Sequence, residues 1–443
     1  MPRTFIKDLS AHIGEDVLIK GTVSVRRDQG KLIFFDFRDM TGTVQGVVLP
    51  GSDATEAAKE TRNEYIVAVE GAVNKRPEKN VQEGRQNGDI ELEVKKLEII
   101  SVAQDLPFEL DAEVNLDTTL DHRPYTIRSQ RGRDIFSLQA KIVEAYRAAL
   151  RKRDFTEFQA PALVGGDAEG GAAVFKVEYF KGGSANLATS PQFYKQIMVA
   201  PFERSFTIAK IFRAEKSATT RHLSELTQMD FEMGFIDDER DVMQVLAEVI
   251  REVVDAVKDD KELFARFGTK APLAPAQFPT LTLREAQAII AEEFGRDQSA
   301  EDDMSPEDER QICEWALREH GSDFVFITRF PTDVRAFYTY EDPEEAPYSR
   351  GFDLLFRGLE INSGSQRIHN YDEMLTRMHL RGLDPLKFVF YLQAFKSGMP
   401  PHGGSSTGLE RFTARMLELP NVKEAAAFPR DMTRIDTRIS EEL

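Results

Sequence analysis

Cysteine is almost absent from this 443-residue chain. Cys313 stands alone, which excludes an intramolecular disulfide framework and any cysteine-based zinc cluster. Any metal therefore falls to carboxylates. Long apolar runs are missing as well: no window reaches the roughly 18 uninterrupted apolar residues of a membrane span. The opening MPRTFIKDLSAHIGED has no apolar signal-peptide core, so a cytoplasmic protein without membrane contact is expected. Positive charge is scarce, with a net charge of -18. Phosphate backbones are bound by Lys and Arg, so a nucleic-acid partner would need a local basic patch on an acidic body. The shortage is uneven. Residues 1–103 hold 15 Lys plus Arg against 17 Asp plus Glu, and the rest of the chain carries nearly all of the deficit.

What is present is the composition of a folded protein, 41% hydrophobic and 30% charged, in a chain too long for one core. From Val17 to about Ile100 the sequence runs in short strand-like segments: DVLIKGTVSVRR, KLIFFDFRDMTG, TVQGVVLP, YIVAVEGAVNKR and DIELEVKKLEII. Gly30, Thr41-Gly42 and Asn87-Gly88 punctuate them, and the helix-like ATEAAKETRN follows the third or fourth. Five strands and one helix are the inventory of an OB barrel over residues 1–103, with another small β barrel as the alternative. Residues 104–130 are mixed polar with prolines and no sustained period, and read as a hinge. From residue 131 to 443 helical and extended patterns alternate irregularly, which predicts an α+β domain on an antiparallel sheet flanked by helices. Its first helix, RGRDIFSLQAKIVEAYRAALRKRD, is expected to bury Ile135, Leu138, Ile142, Ala145 and Ala149.

Three clusters suggest chemistry. Phe212-Arg213-Ala214-Glu215 followed by Thr220-Arg221-His222 places guanidiniums suited to bidentate phosphate binding near a carboxylate and a histidine. A structural salt bridge would read the same way. Asp353 in GFDLLF and Glu360, Ser363, Gln366 and Arg367 in GLEINSGSQRIH form the second. Asp353 and Glu360 are seven apart, so one continuous strand cannot present both on one face. A hairpin or bulge, for which Arg357-Gly358 is the candidate, would bring them together as oxygen ligands for magnesium. In the third, PPHGGSSTGLERF, Gly403, Gly404 and Gly408 permit close backbone approach to a ligand ahead of Arg411 and a helix-like run.

In order and together these segments resemble the aspartyl-tRNA synthetases of the compact kind, over almost the whole chain. RGRDIFSLQAKIVEAYRAAL with Pro161 looks like class II motif 1, FRAEKSATTRHLSELTQMDFEM like motif 2, and GLERFTARMLELPNVKEAAAFPRD like motif 3. TSPQFYKQIMV matches the aspartyl type. The resemblance implies ligation of aspartate to its tRNA, with ATP and Mg2+ as cofactors. By it, Arg213 holds the ATP α-phosphate, Glu215 the adenine amine, Arg221 and His222 the outer phosphates, and Arg411 the γ-phosphate. Asp353, Glu360 and Ser363 carry magnesium. Lys195 and Arg367 grip the aspartate side chain; Glu169, Gln192 and Asp230 receive its ammonium; Ser190 and Ser363 complete the pocket. Glu169-Gly170-Gly171 falls where the family has a closing loop. Phe34 and Gln45 fall where the family binds anticodon bases, with Arg26, Arg27 and Lys31 as phosphate contacts; the alternative for Phe34, inside LIFFDF, is the barrel core. A homodimer through the motif 1 helix is implied.

Two positions depart from the pattern. Leu226 stands where a Phe usually stacks on adenine, and Ser405-Ser406-Thr407 replaces a segment richer in glycine. The resemblance leaves open whether tRNA for asparagine is charged too, with an amidotransferase completing the product. The alternatives are a paralogue acting on another acceptor and a non-catalytic tRNA-binding protein.

Overall fold

The computed structural model describes residues 1–166, 173–214 and 219–438. The chain divides into two compact units, Met1–Glu109 and Leu110–Leu443.

The first unit is a closed five-stranded barrel: β1 (Asp16–Asp28), β2 (Ile33–Asp39), β3 (Gly42–Val48), β4 (Ile66–Lys75) and β5 (Ile90–Ser101). Their order around the barrel is β1-β2-β3-β5-β4, and β1 closes it by pairing antiparallel with β4. A short helix, Thr55–Glu60, follows β3. This is the expected OB inventory. The period of two in β2 decides the status of Phe34. Ile33, Phe35 and Phe37 are buried and fill the interior, so Phe34 and Asp36 project from the opposite face. Phe34 is half-buried on the barrel's outer side, not core.

In the second unit, the segment expected as part of a hinge contains two short helices, Leu116–Asp121 and Arg123–Thr126. Neither spans two turns, too little for a helical period to show. What holds them is a buried guanidinium. Arg123 donates to the carbonyls of Glu424, Ala426 and Ala427, and burial lowers its pKa to about 10. The helix Gln130–Arg151 then buries Ile135, Leu138, Ile142, Tyr146, Ala149 and Leu150. Tyr146 takes the place expected for Ala145, and its hydroxyl donates to the Met229 carbonyl 3.0 Å away.

The remaining strands are β6 (Thr156–Glu157), β7 (Leu163–Val164), β8 (Lys176–Glu178), β9 (Ser184–Leu187), β10 (Arg204–Phe212), β11 (Glu225–Gly234), β12 (Thr280–Thr282), β13 (Phe324–Thr328), β14 (Gly351–Phe356), β15 (Leu359–Arg367) and β16 (His402–Gly408). β7, β9 and β8 form a small separate sheet. The main sheet has the order β12-β13-β14-β15-β16-β11-β10-β6. Its six central strands pair antiparallel, and only the edge strands β12 and β6 are parallel to their neighbours. The helices Gln130–Arg151 and Glu239–Val257 cover one face over a shared core with Phe206, Phe231 and Phe352. No described helix is long and apolar enough to cross a membrane.

Candidate active site

The central strands β15, β16 and β11, with the β10–β11 hairpin, floor a cavity of about 490 Å3. The helix Gln192–Phe202 supplies Gln192 and Lys195 to its wall, the end of β10 supplies Arg213, and the connection to β11 supplies Arg221, His222 and Leu223. From β15 come Glu360, Ser363 and Arg367. Ser190 and Ser406 complete the wall beside Lys195, and Arg411 enters from the helix Leu409–Met416. Residues scattered over some 220 positions of sequence thus converge on one concavity, which is the usual form of a small-molecule site.

A β-bulge makes the β15 arrangement possible. Asp353 pairs in register with Ser363 and Leu354 with Asn362, but Leu355 pairs with Glu360, leaving Ile361 without an opposite residue. The extra residue restores parity, so Glu360 and Ser363, three apart, face the same side as Asp353. The tight turn is Arg357-Gly358, both with positive φ. The seven-residue spacing is therefore resolved by a hairpin and a bulge together.

The residues that the resemblance gives to magnesium meet a cation of the protein itself. Both carboxylate oxygens of Asp353 accept from Arg335, at 3.0 and 2.7 Å, and Arg335 also donates to Ser363 Oγ at 3.3 Å. The guanidinium thus occupies the cationic place between Asp353 and Ser363. Among the described residues no group of three His, Cys, Asp or Glu side chains surrounds a point where a metal could sit. Glu360 and Glu410 are the carboxylates that line the cavity among the described residues, and Arg411 Nη1 lies 3.5 Å from Glu360 Oε2 and 3.1 Å from its backbone carbonyl. Burial pushes the Glu360 carboxyl upward, Arg411 opposes the push and Asp353 adds to it. A carboxylate beside a second carboxylate is a place that favours a cation.

At the other end lies a buried charge network that the sequence reading only half anticipated. Lys195, fully buried, has Nζ 3.0 Å from Asp230 Oδ2 and 3.4 Å from Glu232 Oε2, and donates to the Ser405 carbonyl at 3.2 Å. Arg367 donates to Glu232 Oε1 at 2.9 Å, to the Gly404 carbonyl at 2.9 Å and to Ser365 Oγ. Its guanidinium carbon lies 5.4 Å from the Tyr338 ring centroid. Burial opposes ionisation of Glu232, yet Arg367 and Lys195 hold its carboxyl below the usual range. Glu232 is thus the keystone between the two cations. It lies two residues after Asp230 on β11, on the same strand face, so the alternation in QMDFEM carried the signal. Asp230 lies beneath the cavity lining rather than in it, fully buried, its Oδ1 accepting from Ser406.

The glycines of β16 have a different use from the one expected. A Cβ on Gly404 would sit 2.2 Å from Glu232 Oε2, and one on Gly403 would meet Ile236 and Val242. They make room for the buried carboxylate and the core, whereas a Cβ on Gly408 would meet only the Arg411 side chain, in ordinary contact at 3.7 Å. The hydroxyls of Ser405 and Thr407 accept from Asn362 Nδ2 at 3.1 and 2.7 Å, satisfying a buried amide on the neighbouring strand. Leu226, which stands where the family usually has a Phe, lines the cavity. Arg221 is ion-paired with Glu309 from the helix Pro306–His320. Burial raises the Glu309 carboxyl to about 7 against the pull of Arg221. Glu309 and Arg335 were not visible in sequence, because neither sits in a patterned run beside a motif. Glu169 and Glu215 lie outside the described residues.

In the barrel, Phe34, Gln45, Arg27, Arg76, Lys79 and Arg85 line a second concavity of about 490 Å3. Arg27 donates toward Gln45 Oε1 at 3.5 Å, and Asp36 ties Arg27 to Arg85. Arg26 instead bonds Asp28 and the Ala58 carbonyl, and neither it nor Lys31 belongs to this concavity.

His402, at the start of β16, bridges Gln196 Nε2 and the Pro400 carbonyl, both at 2.9 Å. Burial lowers its pKa from 6.5 to about 4. Between those values the unfolded chain binds a proton that the folded one refuses, so stability falls as pH drops through that window. Urea unfolding followed by Trp315 fluorescence should show wild type losing about 2 kcal/mol more than His402→Gln between pH 7 and pH 5. Equal losses would mean that His402 is protonated in the folded state.

A six-strand antiparallel sheet carrying arginines and carboxylates on its floor, in a chain that also contains an OB barrel, defines a class II aminoacyl-tRNA synthetase. Comparison with known proteins places it further. Residues 115–432 match the family "tRNA synthetases class II (D, K and N)" and residues 17–100 the "OB-fold nucleic acid binding domain". The aspartate-tRNA(Asp/Asn) ligase of Thermus thermophilus is 42% identical, over 98% of this chain and 99% of that protein. The human cytoplasmic aspartate-tRNA ligase is 35% identical, over 97% and 90%. Among solved structures, asparaginyl-tRNA synthetase from Pyrococcus horikoshii with asparaginyl-adenylate superposes with a TM-score of 0.90 at 31% identity, covering 98% and 99%. The chain belongs to the aspartate-tRNA ligase family of class II tRNA synthetases.

Proposed function

We propose that this enzyme joins L-aspartate to tRNA for aspartate, and to tRNA for asparagine as well, in two steps, the first of which consumes ATP. The observation that carries the amino-acid assignment is the pairing of Lys195 with Arg367 around the cavity end. A side-chain carboxylate there accepts charge-assisted hydrogen bonds from both, whereas the amide of asparagine turns a donor toward donors. The likeness to an asparaginyl enzyme at the level of fold makes this pocket, not the architecture, the basis of the choice. The wider tRNA range rests on the relatives 42% and 40% identical, both named for tRNA(Asp/Asn).

In the first step an oxygen of the aspartate α-carboxylate bonds to the α-phosphorus of ATP, the bond to the bridging oxygen breaks, and pyrophosphate leaves. In the second the terminal ribose hydroxyl of tRNA bonds to the activated carbonyl carbon and AMP leaves. Arg213 stands where charge builds on the α-phosphate; Arg221, His222 and Arg411 face the outer phosphates, and Glu309 fixes the direction of Arg221. No side chain is a covalent nucleophile, so rate comes from positioning and preorganised charge. Bound magnesium would neutralise phosphate charge, with Glu360 as its principal ligand and Ser363 and Asp353 available once Arg335 turns aside. Ser190 and Gln192 orient the amino acid from the cavity wall and Asp230 supports them from beneath through Lys195; the resemblance gives Glu169 to the ammonium and Glu215 to the adenine amine. The protein works as a homodimer through the motif 1 helix, with an amidotransferase as the downstream partner for tRNA(Asn).

The test is aminoacylation with labelled aspartate and ATP on the two tRNAs in parallel. Charging of both is expected; charging of tRNA(Asp) alone removes the wider range, and charging of neither removes the reading. On the barrel, Phe34→Ala should weaken tRNA binding by about 1–3 kcal/mol, the worth of one stacked base, in filter binding. Amino-acid activation without tRNA should not change, and unaltered tRNA affinity would take Phe34 out of the RNA site.

A further inference from the structure

We propose that a second, smaller cavity behind Arg221 is a pyrophosphate site, receiving the condensed-phosphate product as it leaves the main pocket; this rests on the reading of Arg221 as an outer-phosphate ligand. The cavity has a volume of about 170 Å3, and Arg221 and Val422 line both it and the main pocket. They form a shared wall, so one guanidinium serves two chambers. Arg310, Arg357 and Arg415 line the rest, with Thr220 and the Gly358 turn. At this size it lies below the roughly 300 Å3 of ordinary ligand pockets, which excludes a nucleoside but leaves room for a small anion.

Four guanidiniums around so small a space need an explanation. Arg357 is committed to structure, donating to Asp323 and to the carbonyls of Lys270, Arg415 and Met416. Arg310 is tied only to Glu307 on its own helix and is half exposed, so it can turn inward. Gly358, at φ +80, has Arg310 Cγ 2.9 Å from where a Cβ would stand. A side chain at that turn would push Arg310 away. Arg415 is the telling residue. Its Nε is buried without a hydrogen-bond partner, and no carboxylate among the described residues is within ion-pair distance of it. Burial lowers its pKa; Glu418 opposes this, while Arg357 and Arg221 add to it. A buried donor and a charge without a counter-ion are each costly, and an anion at this position would satisfy both. The carboxylates facing the cavity's arginines are Glu307, Glu309, Asp323 and Glu418, each beside a different guanidinium than Arg415 or farther than 4 Å from it. The linear diphosphate is the anion that the first reaction step releases on the other side of Arg221.

Equilibrium dialysis of the full chain against labelled inorganic pyrophosphate, without aspartate or tRNA, tests this. Wild type should bind two per chain, and saturating ATP should displace one. Arg415→Gln should bind the ATP-resistant one on the order of tenfold more weakly, the loss of one charge-assisted contact. Arg310→Gln, at a half-exposed position where folding is not at risk, should do the same. One pyrophosphate per chain in wild type, or an ATP-resistant site unaffected by both substitutions, overturns the proposal. Orthophosphate or sulfate competing equally well at matched ionic strength also overturns it, since the site would then be selective for charge alone. Two-site binding in a chain that shows no aspartate-dependent ATP-pyrophosphate exchange would support the cavity and remove the aspartyl reading.

Discussion

Replacing Arg367 with glutamine is expected to raise the KM for aspartate about a hundredfold while the KM for ATP changes by less than threefold. The expected size follows from two charge-assisted hydrogen bonds of about 1.5 kcal/mol each, with each 1.4 kcal/mol worth a factor of ten. The selectivity follows from place: Arg367 sits at the Lys195 end of the cavity, away from Arg213 and Arg411. A second effect comes with it. Arg367 partners the fully buried Glu232, and removing one member of a buried pair costs on the order of 3–5 kcal/mol because the other charge is left alone. The double variant Arg367→Gln, Glu232→Gln separates the two. It should recover much of the lost stability, read by urea unfolding, and none of the aspartate affinity. Matching rises in both KM values would remove Arg367 from the aspartate pocket.

The same network shows what the sequence could and could not convey. Strand parity exposes Glu232, since Gln228, Asp230 and Glu232 alternate with the core residues Met229, Phe231 and Met233. It cannot say that the strand lies between β10 and β16, where Lys195 and Arg367 close on it from separate elements. Both barrel and sheet were legible because their strands alternate cleanly or are bounded by turns. The short helices of residues 116–126 were not, since tertiary bonds from Arg123 hold them rather than local periodicity. Glycines in PPHGG read as room for a ligand, yet the room at Gly403 and Gly404 is taken by the protein's own side chains. The Asp353-Arg335 pair is the clearest case of a residue hidden by sequence. Arg335 lies in an irregular segment 18 positions from its partner, and only the fold brings its guanidinium to the carboxylate assigned to magnesium.

Arg213 is where the chemistry is most exposed to a test. Its backbone N–H donates to the Ser224 carbonyl at 2.9 Å, which fixes the end of β10 and aims the residue into the cavity, and its charge helps keep Glu360 ionised. Arg213→Gln should lower kcat for aspartate-dependent ATP-pyrophosphate exchange by a factor on the order of 10²–10³, the usual loss when one preorganised donor to a developing charge is removed. The KM for ATP should rise far less, because Arg221, His222 and Arg411 still face the outer phosphates. A purely ground-state role would reverse that split, raising KM at constant kcat. Transfer of aspartate to tRNA from preformed adenylate supplies the internal comparison. In that step the bond to phosphorus is already made and negative charge develops first on the carbonyl oxygen, so transfer should slow much less than exchange. Equal slowing of both steps would mean that Arg213 positions the adenylate as a whole, and the charge it was assigned to stabilise would have to be met by Glu360-bound magnesium or by another residue.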